Sequence, residues 1–176
     1  MHELLFLLKN HAPEITFLAV FIEQIGLPIP AMPVLIVAGA FEPSGDGLFV
    51  LISVAVVAAL LADILWYFAG KRWGFKILRS LCNISLSSDS CVRQTEGIFS
   101  RFGHIALLLS KFIPGFSTVA PPLAGATGIA WAPFVLFDGL GSVTWVVLMM
   151  AIGRVFKDGI QAILVKMTKI GSWSGI

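Results

Sequence analysis

A chain of 176 residues that is 57% hydrophobic and only 12% charged cannot clothe itself for water, since soluble domains average roughly 25% charged residues. Its net charge of +2 is too small to mark a nucleic-acid surface, and its basic residues are not interleaved with aromatic ones as in single-strand binders. Much of the surface is therefore expected to face lipid.

The chain begins Met1-His-Glu-Leu-Leu-Phe-Leu-Leu-Lys-Asn10. That apolar run is too short for a signal peptide and has no small-residue cleavage site. It reads as an interfacial helix, with Leu4, Leu5, Leu7 and Leu8 on one side. Ile15 to Phe41 is then long enough to cross a bilayer but is broken by Gly26-Leu-Pro-Ile-Pro30 and Pro33. Proline removes a backbone donor and clashes with the carbonyl one turn back. The stretch is therefore expected to split into two half-helices, a re-entrant hairpin or an unwound helix lining protein or a wet cavity. Leu48 to Gly70 is a plain spanning candidate, interrupted by Asp63 and closed by Trp66-Tyr67 before Lys71-Arg72.

The polar connection that follows holds Cys82 and Cys91, at a spacing that matches no zinc or redox motif. These thiols are read as unpaired or loosely pairing, with a disulfide open only in an oxidising compartment. Ile105 to Ala130 is the second broken stretch, interrupted by Pro114-Gly115, Pro121-Pro122 and Gly125. Pro133 to Gly153 is the second spanning candidate, with Asp138 near its start and Arg154 just beyond. An amphipathic segment over 155–170 is expected on the membrane surface, or at an oligomer contact.

The two broken stretches match each other. Pro28 and Pro114 stand 86 residues apart, as do Gly39 and Gly125, and both glycines sit in Ala-Gly-Ala triplets. The pattern of broken segment, span and basic cap predicts an all-α polytopic membrane protein made of two inverted repeats. Each repeat is a re-entrant broken-helix hairpin plus a transmembrane helix. The bounds are about 13–72 for the first repeat, 73–100 for the connecting loop and 101–155 for the second repeat. All lie within one integral domain spanning 1–176. Six basic residues in the middle connection against five at the ends do not decide the orientation.

Glu23, Asp63, Lys111 and Asp138 fall inside apolar stretches, with Glu14 near an edge. A mid-bilayer charge costs at least ~2.5–3.5 kcal/mol, so such groups face a cavity or each other. Glu23 precedes Pro28 by five residues and Lys111 precedes Pro114 by three, so pseudosymmetry would bring them face to face. They would be either an ion pair pinning two hairpins or the centre of an anion site. In the second reading Lys111 neutralises the anion and Glu23 exchanges a proton. Gly115, Ser117 and Thr118 supply close approach and hydroxyls. Asp63 is read as a partner of Lys111, a proton relay, or an acid bonded to a neighbouring helix. Asp138 is read as an interfacial acid complementing a helix N-terminus. His104 is placed at a membrane edge. No nucleophile–base arrangement, metal-ligand spacing or phosphate-binding glycine loop is present, so no catalytic residue, metal or cofactor is expected.

The segments Glu23-Gln-Ile-Gly-Leu-Pro-Ile-Pro30…Ala38-Gly39-Ala40 and Lys111-Phe-Ile-Pro-Gly-Phe-Ser-Thr-Val-Ala-Pro-Pro-Leu-Ala-Gly125 resemble the DedA family over about residues 13 to 155. This is the bacterial branch of the SNARE-associated Golgi protein (VTT domain) superfamily. The resemblance implies a multi-pass protein of the bacterial inner membrane. It implies leaflet-to-leaflet movement of a lipid, a polyprenyl phosphate or a phospholipid, with protons as a coupling ion and a homo-oligomer left open. The family's first re-entrant acid falls on Glu23 and its first re-entrant arginine on Lys111. Many members carry a second acid where this chain has Met32 and a second arginine where it has Ser117. Losing one acid and one base together keeps charge balance, and Lys offers an anion a point charge instead of a bidentate fork. The alternative is a non-transporting membrane scaffold that supports envelope homeostasis.

Overall fold

The computed structural model describes residues 11–27, 29–77, 97, 101–113 and 116–159. The expectations for Met1–Asn10, Pro28, Cys82, Cys91, Pro114, Gly115 and most of the 73–100 connection fall outside these residues, as does the surface segment beyond 159. All regular structure among the described residues is helical.

The first broken stretch forms α1 (Ala12–Ile25) and α2 (Ala31–Phe41). Pro13 opens α1, where its missing N–H costs nothing. Gly26 closes it in the left-handed region, φ 102°, while Leu27 N–H returns to the carbonyl of Ile22 at 3.1 Å. That six-to-one bond defines a Schellman stop, and the backbone is extended at Pro30, the N-cap of α2. At 14 and 11 residues, neither half-helix can cross a hydrocarbon layer alone, since crossing takes about 20 residues.

A long helix, α3 (Gly45–Trp73), follows at once. Ser44 caps it by accepting from Gly47 N–H at 3.0 Å. Asp46 sits in its first turn and Lys71 and Arg72 in its last, each complementing the helix dipole. The second broken stretch gives a six-residue α4 (Ile105–Ser110), then α5 (Phe116–Ala126). Pro121 and Pro122 lie inside α5 and withhold the N–H groups that would bond the carbonyls of Ser117 and Thr118. The last long helix is α6 (Trp131–Val155). Both long helices are apolar enough to cross a membrane, with mean hydropathy 2.8 over an 18-residue window of α3 and 1.9 over one of α6.

Their side chains are distributed opposite to those of a soluble bundle. Small residues are buried, with Ala55, Ala58, Ala59 and Ala62 of α3 all at 0% exposure. Large apolar ones point outward at helical spacing, as Val57, Leu61, Leu65 and Phe68 on α3 and Leu136, Leu140, Val143 and Val147 on α6. Lipid-facing helices are built this way, because close backbone approach rather than expulsion of water drives their association.

The halves clasp each other crosswise. α2, from the first half, packs on α6, and α5, from the second, packs on α3. Glycine permits both crossings. A Cβ on Gly39 would come within 2.7 Å of Met150 Cα, and one on Gly153 within 2.8 Å of the Ile36 carbonyl carbon. At the other crossing, a Cβ on Gly70 would meet Pro122 Cα at 2.7 Å and one on Gly125 the Lys71 nitrogen at 2.8 Å. Two apolar cores result. One is centred on Tyr67, Leu107, Leu123 and Phe134, the other on Val20, Leu35, Trp145 and Met150.

Candidate functional site

Between these two cores lies a cluster of charge. Lys111 caps the C-terminus of α4, and its side chain is 1% exposed. Its ammonium donates to Asp63 Oδ2 on α3 and stands 3.3 Å from Asp138 Oδ1 on α6. Both aspartates are completely buried. Gln24, at the end of α1, donates its amide to the same Asp63 oxygen at 3.4 Å, and its own carbonyl receives the indole N–H of Trp66 at 3.2 Å. Four elements of the fold therefore meet on one lysine and two carboxylates.

Gly141 lets the lysine in. It lies on α6 beside the α4 backbone, where a Cβ would touch Leu108 Cα at 3.0 Å and Lys111 Cγ at 3.3 Å. Asp138, Ser142 and Trp145 share one face of α6 at steps of four and three residues. All three are buried, and Asp138 Oδ1 and Oδ2, Ser142 Oγ and Trp145 Nε1 have no hydrogen-bond partner. The Asp138–Lys111 contact is close enough for an ion pair but lacks hydrogen-bond alignment.

Two readings of the sequence need correction. Asp138 is not an interfacial acid. It is the eighth residue of α6, about two turns from the helix start, and its carboxylate is enclosed beside Lys111. Lys111 pairs with Asp63 and Asp138, and among the described residues no ion pair joins it to Glu23. Glu23 is half-buried on α1 and reaches the backbone N–H of Ala31, the first residue of α2. It bridges the break in its own half, favourably placed at a helix N-terminus, and feels Lys111 only through space.

The other residues singled out fall as follows. Pro30 is the N-cap of α2, and Met32 is in its first turn. Ser117 and Thr118 are half-buried in the first turn of α5, and their carbonyls lose their helical donors to Pro121 and Pro122. Gly39 and Gly125 serve the two crossings. His104 is exposed and stacks on Phe137 at 5.8 Å between ring centroids. Tyr67, read from the sequence only as part of the aromatic close of the first span, is buried, donates its hydroxyl to the carbonyl of Ile129 at 2.7 Å and anchors the connection from α5 to α6. Away from the cluster, an apolar cavity of about 530 Å³ lies between α1, α2 and the start of α3, lined by Ile15, Thr16, Val34, Val37 and Phe41 with Glu42 at its edge.

The VTT domain model matches residues 29–155, which takes in α2 to α6 and all three charged groups of the cluster. The chain belongs to the DedA family of VTT-domain proteins. It is 25% identical to Protein DedA of Escherichia coli over 174 residues, covering 92% of this chain and 79% of that one. It is 29% identical over 153 residues to a Mycobacterium tuberculosis protein called an uncharacterized membrane protein, covering 79% of this chain and 68% of that one. The membrane protein YbfM of Bacillus subtilis is 26% identical over 140 residues, covering 79% of this chain and 86% of its own length. No solved structure matches the chain. Within this family of membrane proteins, the outward apolar faces of α3 and α6 are lipid-facing surfaces, and the Lys111 cluster lies between them.

Proposed function

We propose that the chain is a DedA-type transporter that moves a lipid with an anionic head group, a polyprenyl phosphate or a phospholipid, between leaflets, coupled to protons. The observation that carries this reading is the Lys111–Asp63–Asp138 cluster, buried between two spanning helices with several polar atoms unpartnered. A structural ion pair is worth keeping only when its remaining valences are satisfied. Charge left incomplete inside a membrane marks a transport or proton pathway. The site sits where the ends of α1 and α4, one from each broken segment, converge between the two long helices, as binding sites do in transporters built from repeats.

In this reading the two halves are inverted repeats, each a re-entrant hairpin plus a span, in the bacterial inner membrane. The reciprocal glycine crossings support it, since a two-fold arrangement makes equivalent residues exchange the same contacts. Lys111 receives the head group when the cluster opens. Ser117 and Thr118 contact it from the start of α5, Glu23 responds to protons at the break, and the cavity beside α1 and α2 accepts a hydrocarbon tail.

The test is leaflet exchange of fluorescent phospholipid and short polyprenyl-phosphate analogues in proteoliposomes, with and without an imposed proton gradient. Exchange by the parent, lost in Glu23→Gln and Lys111→Ala while both remain folded, is the expected result. No exchange above empty liposomes for any of these lipids would sink the proposal and favour a scaffold.

A further inference from the structure

The charges at the centre of the fold do not cancel. One ammonium faces two carboxylates, and among the described residues nothing more is placed to balance them. α2, α4 and α5 contain no ionisable side chain, Lys111 being the cap that follows α4. α1 contributes only Glu23 on this side, which adds negative charge and is turned to the N–H of Ala31. On α3 the next ionisable group is Tyr67, whose hydroxyl is committed to Ile129. On α6 the neighbours of Asp138 are Ser142 and Trp145, which are neutral.

The hydrogen bonds are equally lopsided. Asp63 takes both of its donors, Lys111 and Gln24, on Oδ2 and leaves Oδ1 bare. Neither oxygen of Asp138 receives an aligned donor. The two carboxyl groups flank the same ammonium, Asp63 Oδ2 in contact with it and Asp138 Oδ1 at 3.3 Å. Ionised carboxylates only accept, so the bare oxygens of the two aspartates can offer one another nothing unless one carboxyl is protonated. Paired carboxyls in a dry site therefore hold one proton between them, because two like charges at that range cannot both persist.

We propose that Asp63 and Asp138 form a carboxyl dyad holding one proton in the closed arrangement, and that uptake of a second proton frees Lys111 for an anionic head group. The first half of the statement is independent of any substrate. The second rests on the transport reading above. With one proton the cluster is electrically neutral and closed, with the ammonium held by the remaining carboxylate. With two protons the lysine carries an unbalanced positive charge, which an incoming phosphate would neutralise. Proton and anion then enter together, one for one. Asp138, which the sequence pattern marked only as a helix-end acid, becomes a proton-binding residue.

The experiment uses the full chain in lipid nanodiscs, labelled with 13C at aspartate carboxyls only, so that Glu23 is silent. Infrared spectra at pH 7 are read for the protonated-carboxyl C=O band. One protonated aspartate per chain is expected in the parent. Asp138→Asn and Asp63→Asn should each abolish the band, since one carboxylate and one ammonium then balance. Lys111→Met should raise the count from one to two, an outcome that does not depend on either asparagine variant folding. No band in the parent, a band that survives in both asparagine variants, or no second band in Lys111→Met would overturn the dyad.

Adding a short prenyl phosphate to the parent should double the band. A band that stays single while leaflet exchange is measured would overturn the coupling and leave transport standing. A single band in a chain that exchanges no lipid would remove the transport reading and, with it, the coupling, while the dyad stands.

Discussion

Two glycines of the same helix give opposite predictions when replaced by alanine. A Cβ on Gly139 would meet only Leu60 Cδ2, at 3.8 Å, an ordinary contact. On Gly153 it would stand 2.8 Å from the carbonyl carbon of Ile36, with the Ile36 oxygen closer still, and backbone cannot swing aside as a side-chain tip can. Carbon atoms prefer separations of roughly 3.5–4 Å, so α2 would have to retreat by about 1 Å. Replacing a mid-helix glycine by alanine is worth about 1 kcal/mol in helix propensity. Overpacking costs about 1–3 kcal/mol. Gly139→Ala should therefore be neutral or stabilising by up to about 1 kcal/mol, and Gly153→Ala destabilising by about 1–2 kcal/mol. At about 2–4 °C per kcal/mol for a chain of this size, their melting temperatures in the same detergent should differ by roughly 2–12 °C. Equal melting temperatures, or a lower value for Gly139→Ala, would refute the crosswise clasp.

Removing the ammonium in Lys111→Met strands two carboxyls in a buried site, and thermal unfolding in nanodiscs should register a loss of about 3–5 kcal/mol at pH 7. Tyr67→Phe leaves the Ile129 carbonyl without its donor, at a cost of about 1–3 kcal/mol, with lipid exchange unaffected apart from that loss.

The fold was legible wherever local chemistry decides it. The run Leu48–Gly70 is long and apolar enough to cross a membrane, and α3 extends it only by its Ser44 cap and basic last turn. Gly26, Pro28 and Pro30 announce the first break, because a helix cannot pass them. The second break was placed less well. The piece before Pro114 is helical only over Ile105–Ser110, and Lys111 already lies in the turn, where its flexible stem can reach either span. Symmetry arguments from sequence put Glu23 opposite Lys111, but they equate positions along the chain and say nothing of side-chain reach. Asp138 was misplaced because its distance from Pro133 was counted as distance from the membrane edge, whereas α6 begins at Trp131 and Pro133 sits harmlessly in its first turn. A signal was available. Asp138, Ser142 and Trp145 form a polar line at helical spacing on an otherwise apolar span, and such a line faces protein rather than lipid.

The crosswise clasp also sets a clock on synthesis. α2 ends at Phe41, and Gly153, the residue that receives it, emerges 112 residues later. At roughly 5–20 residues per second, the first broken helix waits roughly 6–22 s for its cover. Throughout that interval the helix ends on either side of the break, at Ile25 and Ala31, carry backbone polar groups that lipid cannot satisfy. α3 is complete early and can enter the bilayer by itself, but the segment before it cannot settle until the last helix arrives. The nascent chain therefore depends on whatever shelters it at the insertion machinery for most of its own translation.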